Sequence, residues 1–251
     1  MNDLHDPVVL VTGAGRGIGR ALAGAFAEHG ARVAANDVTP VNLDPAVAAM
    51  AKGGGAVRAW VADVSNKMAV QSMIEEVRDA FGRIDILVNN AAVEPHASLL
   101  TMDEWDWDRT LGVNLKGPFL TSQSVGRVMA DQGGGVIINI ASVAGRSHGL
   151  AERAAYVASK AGLIGLTRES ARELAAYNIR VNAVCPAEVE AEGTRGVRSD
   201  EGQMSGWFNE IPQRGLGRPE DMVSLVLFLC SEGAAHITGQ AFHVDGGKVM
   251  V

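Results

Sequence analysis

Val8-Val9-Leu10-Val11-Thr12-Gly13-Ala14-Gly15-Arg16-Gly17-Ile18-Gly19 decides how this chain is read. Four apolar residues, too few for a helix, run into a glycine cluster. Arg20-Ala21-Leu22-Ala23-Gly24-Ala25-Phe26-Ala27 then follows as an amphipathic helix. Strand, tight turn and helix in that order make the first half of a dinucleotide site. A pyrophosphate approaches the backbone N–H groups at a helix N-terminus, where unpaired donors and the helix dipole attract negative charge, and a Cβ there would stand in the way. Gly13, Gly17 and Gly19 meet that need, with Arg16 and Ile18 on the same turn. Three residues separate Gly13 from Gly17, against one in the commonest dinucleotide fingerprint, so the turn is longer before it meets the helix.

The next apolar run, Arg32-Val33-Ala34-Ala35-Asn36-Asp37, reads as a second strand with a carboxylate at its end, where an adenosine ribose would lie. A carboxylate there accepts hydrogen bonds from both ribose hydroxyls and repels a 2′-phosphate. Asp37 therefore predicts NAD as the cofactor. Arg16 argues the other way, since a guanidinium inside the turn can pair with a phosphate, and it keeps an NADPH-dependent ketone or 3-oxoacyl reductase as the alternative.

Composition bounds the rest. The chain has 251 residues, 47% hydrophobic and 20% charged, an ordinary globular balance that suits one α/β domain over residues 1–251. A net charge of −7 argues against nucleic-acid or anionic-membrane partners. Residues 1–7 lack the positive region and apolar core of a signal peptide, and no apolar run approaches a membrane span, so a cytoplasmic protein is expected. Cys185 and Cys230 sit in apolar surroundings without ligand-type spacing; they read as reduced core residues, and no metal site is expected.

Downstream, the pattern predicts a helix near 43–52, a strand over 56–62, and a helix over 66–81 with apolar residues at 70, 73, 74, 77 and 81. Asp63-Val64 stands at the strand end between them, where Asp63 either accepts from an adenine amine or caps the helix. A fourth strand, 84–88, ends in Asn89-Asn90-Ala91-Ala92, small residues that allow close packing beside a flat ring and add Asn90 and Ala91 to the cofactor candidates. Helices over 103–115 and 119–132, a strand over 136–140, a helix from about Ala154, a strand over 179–184, a helix over 219–231 and a strand over 240–245 complete the alternation. Such a rhythm predicts a doubly wound Rossmann-type fold: a seven-stranded parallel sheet with helices on both faces and right-handed crossovers. Ligands of such sheets bind at the carboxyl ends of the strands. The stretch 187–217 is too long for an ordinary connection and reads as a substrate lid.

The fifth strand ends in Ser142, and Tyr156 and Lys160 lie four residues apart, on one helical face. A free phenol titrates near 10, so at pH 7 only about one in a thousand is ionised. Lowering that value by ~3 units requires ~4 kcal/mol of preferential stabilisation of the phenolate, which an ammonium in a partly desolvated cleft can supply. Tyr156 would then be the base for alcohol oxidation and the acid for ketone reduction. Glu94 and His96 follow the fourth strand, His148 and Glu152 follow Ser142, and Trp207 with Phe208 falls in the lid. Carboxylates accept from hydroxyls, whereas an apolar ketone would leave them desolvated and unpaired, so these groups predict a polar, hydroxylated substrate such as a sugar or polyol.

Taken in chain order, Thr12-Gly13-Ala14-Gly15-Arg16-Gly17-Ile18-Gly19, Asp63, Asn89-Asn90-Ala91, Asn114, Ser142, Tyr156 with Lys160, Pro186, and Ile237-Thr238-Gly239-Gln240 leading to Val244-Asp245-Gly246-Gly247 resemble the short-chain dehydrogenases/reductases of about 250 residues, over nearly the whole chain. The resemblance implies an NAD-dependent oxidoreductase acting on a secondary alcohol or ketone. It further implies that Ser142 hydrogen-bonds the substrate oxygen, Lys160 also holds the nicotinamide ribose, Asn114 supports a water that leads protons outward, and Pro186 and Val189 meet the nicotinamide. A homo-tetramer is implied too, paired through helices around 119–130 and 155–176. Ala158, Ala161, Gly162, Gly165 and Ala171 permit such an approach, and would equally suit a helix buried within one chain. Two departures stand out: Ala187 follows Pro186 where Gly is common, and Ala191 stands where a Thr commonly contacts the nicotinamide amide, a role that passes to Thr194 or is absent. The non-enzymatic alternative is an NAD-binding sensor that kept the fold without the chemistry; the pair Ser142 and Tyr156 speaks against it.

Overall fold

The computed structural model describes residues 6–146, 150–190, 211–213 and 215–250. Among them, seven strands form one sheet: β1 (Val8–Thr12), β2 (Arg32–Asp37), β3 (Ala56–Val61), β4 (Ile86–Asn89), β5 (Gly135–Ile140), β6 (Ile179–Pro186) and β7 (Ala241–Val244). Their order is β3-β2-β1-β4-β5-β6-β7, and every pairing is parallel. Helices α1 (Gly17–Glu28), α2 (Pro40–Lys52), α3 (Lys67–Phe81), α4 (Glu104–Leu111), α5 (Gly117–Gln132), α6 (Ala154–Leu174) and α7 (Val223–Cys230) connect them.

All five residues of β1 are buried, as a central strand covered on both faces requires. Alternation divides them. Val9 and Val11 join Leu22 and Phe26 of α1 and Val33 of β2 in one apolar layer, while Val8 and Leu10 join Val70, Ile74 and Val77 of α3 and Val125 and Met129 of α5 in the other. The sheet order reverses direction between β1 and β4, which opens a crevice above their carboxyl ends.

Several boundaries differ from the sequence pattern. Residues 104–132 run on without a break, because a π-helical turn, Gly112–Lys116, joins α4 to α5. Pro118 has no N–H to return to the Asn114 carbonyl four residues back, and the turn widens so that Gly117 N–H reaches Gly112 O. The helix expected over 219–231 begins instead as a 3-10 turn, Pro219–Met222. Asn66, not Asp63, caps α3: its side chain accepts from Met68 N and Ala69 N. After β6, Gly217 N donates to Glu188 O at 2.9 Å and Glu190 N to Gly217 O at 2.7 Å, so residues 188–190 and Gly217 lie side by side. Among the described residues no helix is long and apolar enough to cross a membrane.

Candidate active site

A cavity of about 990 Å³ lies over the carboxyl ends of β1, β2, β4, β5 and β6. One end is built by the glycine turn. Gly13 has φ +64°, and a Cβ on it would stand 2.8 Å from Ala91 Cα. Gly13, Arg16, Gly17 and Ile18 line the cavity; Gly19 does not. Its need is internal, since a Cβ there would overlap Gly13 O and Asn90 Nδ2. Asn90 Nδ2 donates to Thr12 O and Gly13 O, both at 3.0 Å, while Thr12 Oγ1 accepts from Asn90 N at 3.0 Å and Ala91 N at 3.2 Å. The turn after β1 and the end of β4 are thereby one unit, and Gly17 and Ile18 at the N-terminus of α1 line the cavity.

Asp37 lines the cavity at the end of β2. Its Oδ2 accepts from Gly15 N at 3.1 Å and its Oδ1 from Val38 N at 2.8 Å, so the carboxylate also fixes the glycine turn. Asp63 and Val64 line the next segment of wall, Asp63 being held by Ser65 N and Oγ. A dinucleotide fits these features: a helix N-terminus, a turn with no Cβ in the way, and a strand-end carboxylate beyond it.

The far end holds Ser142, Tyr156 and Lys160, with Pro186 and Val189 beside them. Lys160 is 3% exposed; its Nζ donates to Ile140 O at 2.7 Å and stands 5.6 Å from the Tyr156 ring centroid. Burial pulls its pKa from 10.5 down to about 8, against the opposing pull of the Glu94 carboxylate. Gly145 makes this position possible: a Cβ on it would lie 2.5 Å from the Lys160 carbonyl carbon, so the turn after β5 presses directly on α6. Ser142 Oγ accepts from Ala144 N at 3.1 Å, which orients the hydroxyl at the cavity wall.

Asn114 does not line the cavity. Its Oδ1 accepts from Val93 N at 2.8 Å, and its Nδ2 donates to Val93 O at 2.9 Å and Ser159 Oγ at 3.1 Å. The side chain expected to support a water therefore pins the β4–α4 loop to α6, while Pro118 leaves its backbone carbonyl without the usual helical donor. Glu94 and His96, on that pinned loop, do line the cavity. Arg153 Nε lies 2.7 Å from Glu94 Oε1 and 3.2 Å from His96 Nε2, a contact that sequence spacing gave no sign of. Glu152 does not join the wall: it sits exposed at φ +59°, and its carbonyl accepts from Ala97 N as the loop bridges to α6. His148, Ala191, Thr194, Trp207 and Phe208 lie outside the described residues.

Behind the site, Asn89 Nδ2 donates to Ser122 Oγ and Asn139 Oδ1, Thr121 Oγ1 donates to Asn89 Oδ1, and Asn139 Nδ2 donates to Thr167 Oγ1. This buried polar chain ties β4, β5, α5 and α6 together; of its members only Asn89 stood in a motif of the sequence, and nothing local marked Thr121, Ser122, Asn139 or Thr167. Both cysteines are free and buried, and burial pushes the Cys185 thiol up to about 11 and the Cys230 thiol to about 12, which leaves neither as a nucleophile at neutral pH.

Known proteins resemble this chain over nearly its full length. The family model described as enoyl-(acyl carrier protein) reductase matches residues 13–248. The 3-oxoacyl-[acyl-carrier-protein] reductase FabG of Thermotoga maritima is 40% identical over 247 residues, 98% of this chain and 99% of its own. A solved structure from Sinorhizobium meliloti 1021, described as a candidate short-chain alcohol dehydrogenase, matches at a TM-score of 0.94 and 41% identity over 98% of both chains. Another, from Beutenbergia cavernae, is described as a candidate NAD(P)-dependent gluconate 5-dehydrogenase with NADP bound at low occupancy; it matches at a TM-score of 0.93 and 37% identity over 98% of both chains.

Proposed function

The chain belongs to the short-chain dehydrogenase/reductase family of oxidoreductases, and from that premise we propose that it transfers hydride between NAD and a secondary alcohol or ketone that carries further hydroxyl groups. The observation that carries this reading is the single cavity wall shared by Asp37 and the glycine turn at one end and Ser142, Tyr156 and Lys160 at the other. Asp37 would hold the adenosine ribose, the backbone of Gly13, Gly17 and Ile18 the pyrophosphate, Asp63 and Val64 the adenine, and Asn90, Ala91, Pro186, Val189 and Lys160 the nicotinamide half. A bound nicotinamide supplies the hydride acceptor or donor.

Tyr156, as phenolate, takes the hydroxyl proton in oxidation, and as phenol returns it to the carbonyl oxygen in reduction. Ser142 donates a hydrogen bond to the same oxygen. The Lys160 ammonium, 5.6 Å from the ring centroid, favours the phenolate by its charge. Asn114 is a positioning residue that holds the loop bearing Glu94 and His96. We further propose a homo-tetramer built through the outward faces of α5 and α6, and a lid over 187–217.

A second reading has its own support. Arg16 is exposed on the wall of the same cavity, and one structural relative carries NADP, so an NADPH-dependent 3-oxoacyl reductase is the competing assignment. Titration of the protein's fluorescence with NADH and NADPH separates the two. NADH is expected to bind at least about tenfold more tightly because a strand-end carboxylate repels a 2′-phosphate; tighter NADPH binding would transfer the assignment to the second reading.

A further inference from the structure

One carboxylate in the cavity wall has no place in the chemistry above. Glu188 follows β6 two residues after Pro186, lines the same cavity as Tyr156, and its side chain is only 8% exposed. Oε1 receives Lys248 Nζ at 2.7 Å, from an ammonium side chain 1% exposed. The C-terminal segment is shaped to deliver that ammonium. Asp245 Oδ1 accepts from Gly247 N at 2.9 Å and Oδ2 from Val249 N at 2.8 Å, closing a turn after β7 that sends Lys248 back against β6. Glu188 Oε2, by contrast, is buried and has no hydrogen-bond partner among the described residues.

A buried carboxylate oxygen without a donor is strongly unfavourable, so its presence on a residue that lines the cavity marks a place where a ligand brings the donor. The Glu188 and Lys248 charges cancel, which leaves a demand for a neutral N–H or O–H and not for a second cation. An apolar alcohol filling the cavity would leave Oε2 unpaired. We infer that Glu188, held by Lys248, is a specificity-determining residue whose Oε2 accepts from a substrate hydroxyl other than the one that reacts, which makes a polyol or sugar the preferred substrate class. This rests on the hydride-transfer reading for the identity of the reacting group.

The test uses a Tyr156→Phe background, saturated with NAD, into which sorbitol, xylitol, gluconate and cyclohexanol are titrated calorimetrically. Adding Glu188→Gln is expected to weaken polyol binding about tenfold, the effect of one hydrogen bond to a charged acceptor, while cyclohexanol binding changes less than about twofold. Since a lone change strands the Lys248 ammonium, Glu188→Leu with Lys248→Met removes both charges and is expected to show the same loss. With Tyr156 restored, polyol KM rises about tenfold and kcat changes less than about threefold. Absence of polyol binding with Glu188 intact, or equal polyol affinity in variants of native circular dichroism, overturns the assignment. Turnover of cyclohexanol alone would leave hydride transfer standing and remove Glu188 from specificity. Glu188-dependent polyol binding without turnover of any alcohol or ketone would do the reverse.

Discussion

Lys160 illustrates how a single side chain couples stability to chemistry. Its ammonium is buried with one backbone acceptor, Ile140 O, and its pKa falls to about 8. Between that value and the ordinary 10.5 the unfolded chain keeps a proton that the folded protein has released, so the folded state gains stability as pH rises through that window. Relative to Lys160→Met, the wild-type protein is expected to gain about 3 kcal/mol of unfolding free energy across it, at about 1.4 kcal/mol for each pH unit. Urea titrations at several pH values check it, and parallel curves for the two proteins would show that Lys160 titrates normally. The neighbouring Tyr156→Phe change removes the hydroxyl through which that residue moves a proton in the proposed mechanism. Expected is a loss of turnover of about 10³-fold with NADH affinity held within about threefold. Turnover near the wild-type rate would take Tyr156 out of the reaction.

α6 carries Tyr156 and Lys160 into the site, and its fit depends on small residues, some of them elsewhere in the chain. The turn carrying Gly145 touches its backbone at Lys160 and Ala161, and Gly162 lies under Leu115 of the π-helical turn. Gly145→Ala is expected to destabilise the protein by about 1–3 kcal/mol, the usual effect of overpacking, and to lower kcat more than it raises the NADH dissociation constant, because backbone must shift at Lys160. Chemical denaturation and steady-state kinetics on the same preparation read both effects. The π-helical turn plays the matching part on the other side: it carries Asn114, whose amide fixes Val93, and thereby places Glu94 near enough to Lys160 to oppose the effect of burial.

In the whole molecule, α6 uses its small residues in two directions. Gly162 and Ala171 face the fold of their own chain, against Leu115 and Gly239, whereas Ala158, Ala161 and Gly165 are exposed, as is Phe119 on α5 at 45%. A side chain at Gly165 would enter open space within one chain. Gly165→Leu should therefore leave an isolated subunit as stable as before or slightly more so, given the helix propensities of the two residues. In a tetramer joined at this face it would force the helices apart. Light scattering is expected to give four chains for the wild type and fewer for the variant; a wild-type monomer at micromolar concentration would end the tetramer proposal.

The alternation of strands and helices, the glycine turn, Asp37 and the Tyr156 and Lys160 spacing were all legible in the sequence, because each is a local property. Buried parallel strands read as apolar runs, helices carry a 3.6-residue period, and a turn that admits a phosphate needs glycine wherever it is placed. Partner choice is a different kind of quantity. Asn90 meets Gly13 across 77 residues, Lys248 meets Glu188 across 60, and Asn114 meets Val93 only because a π-helical turn rotates it there. No periodicity encodes these contacts. They follow from which strands lie side by side in the sheet, and so the sequence named the candidate reacting groups while the assembled fold chose what surrounds and aims them.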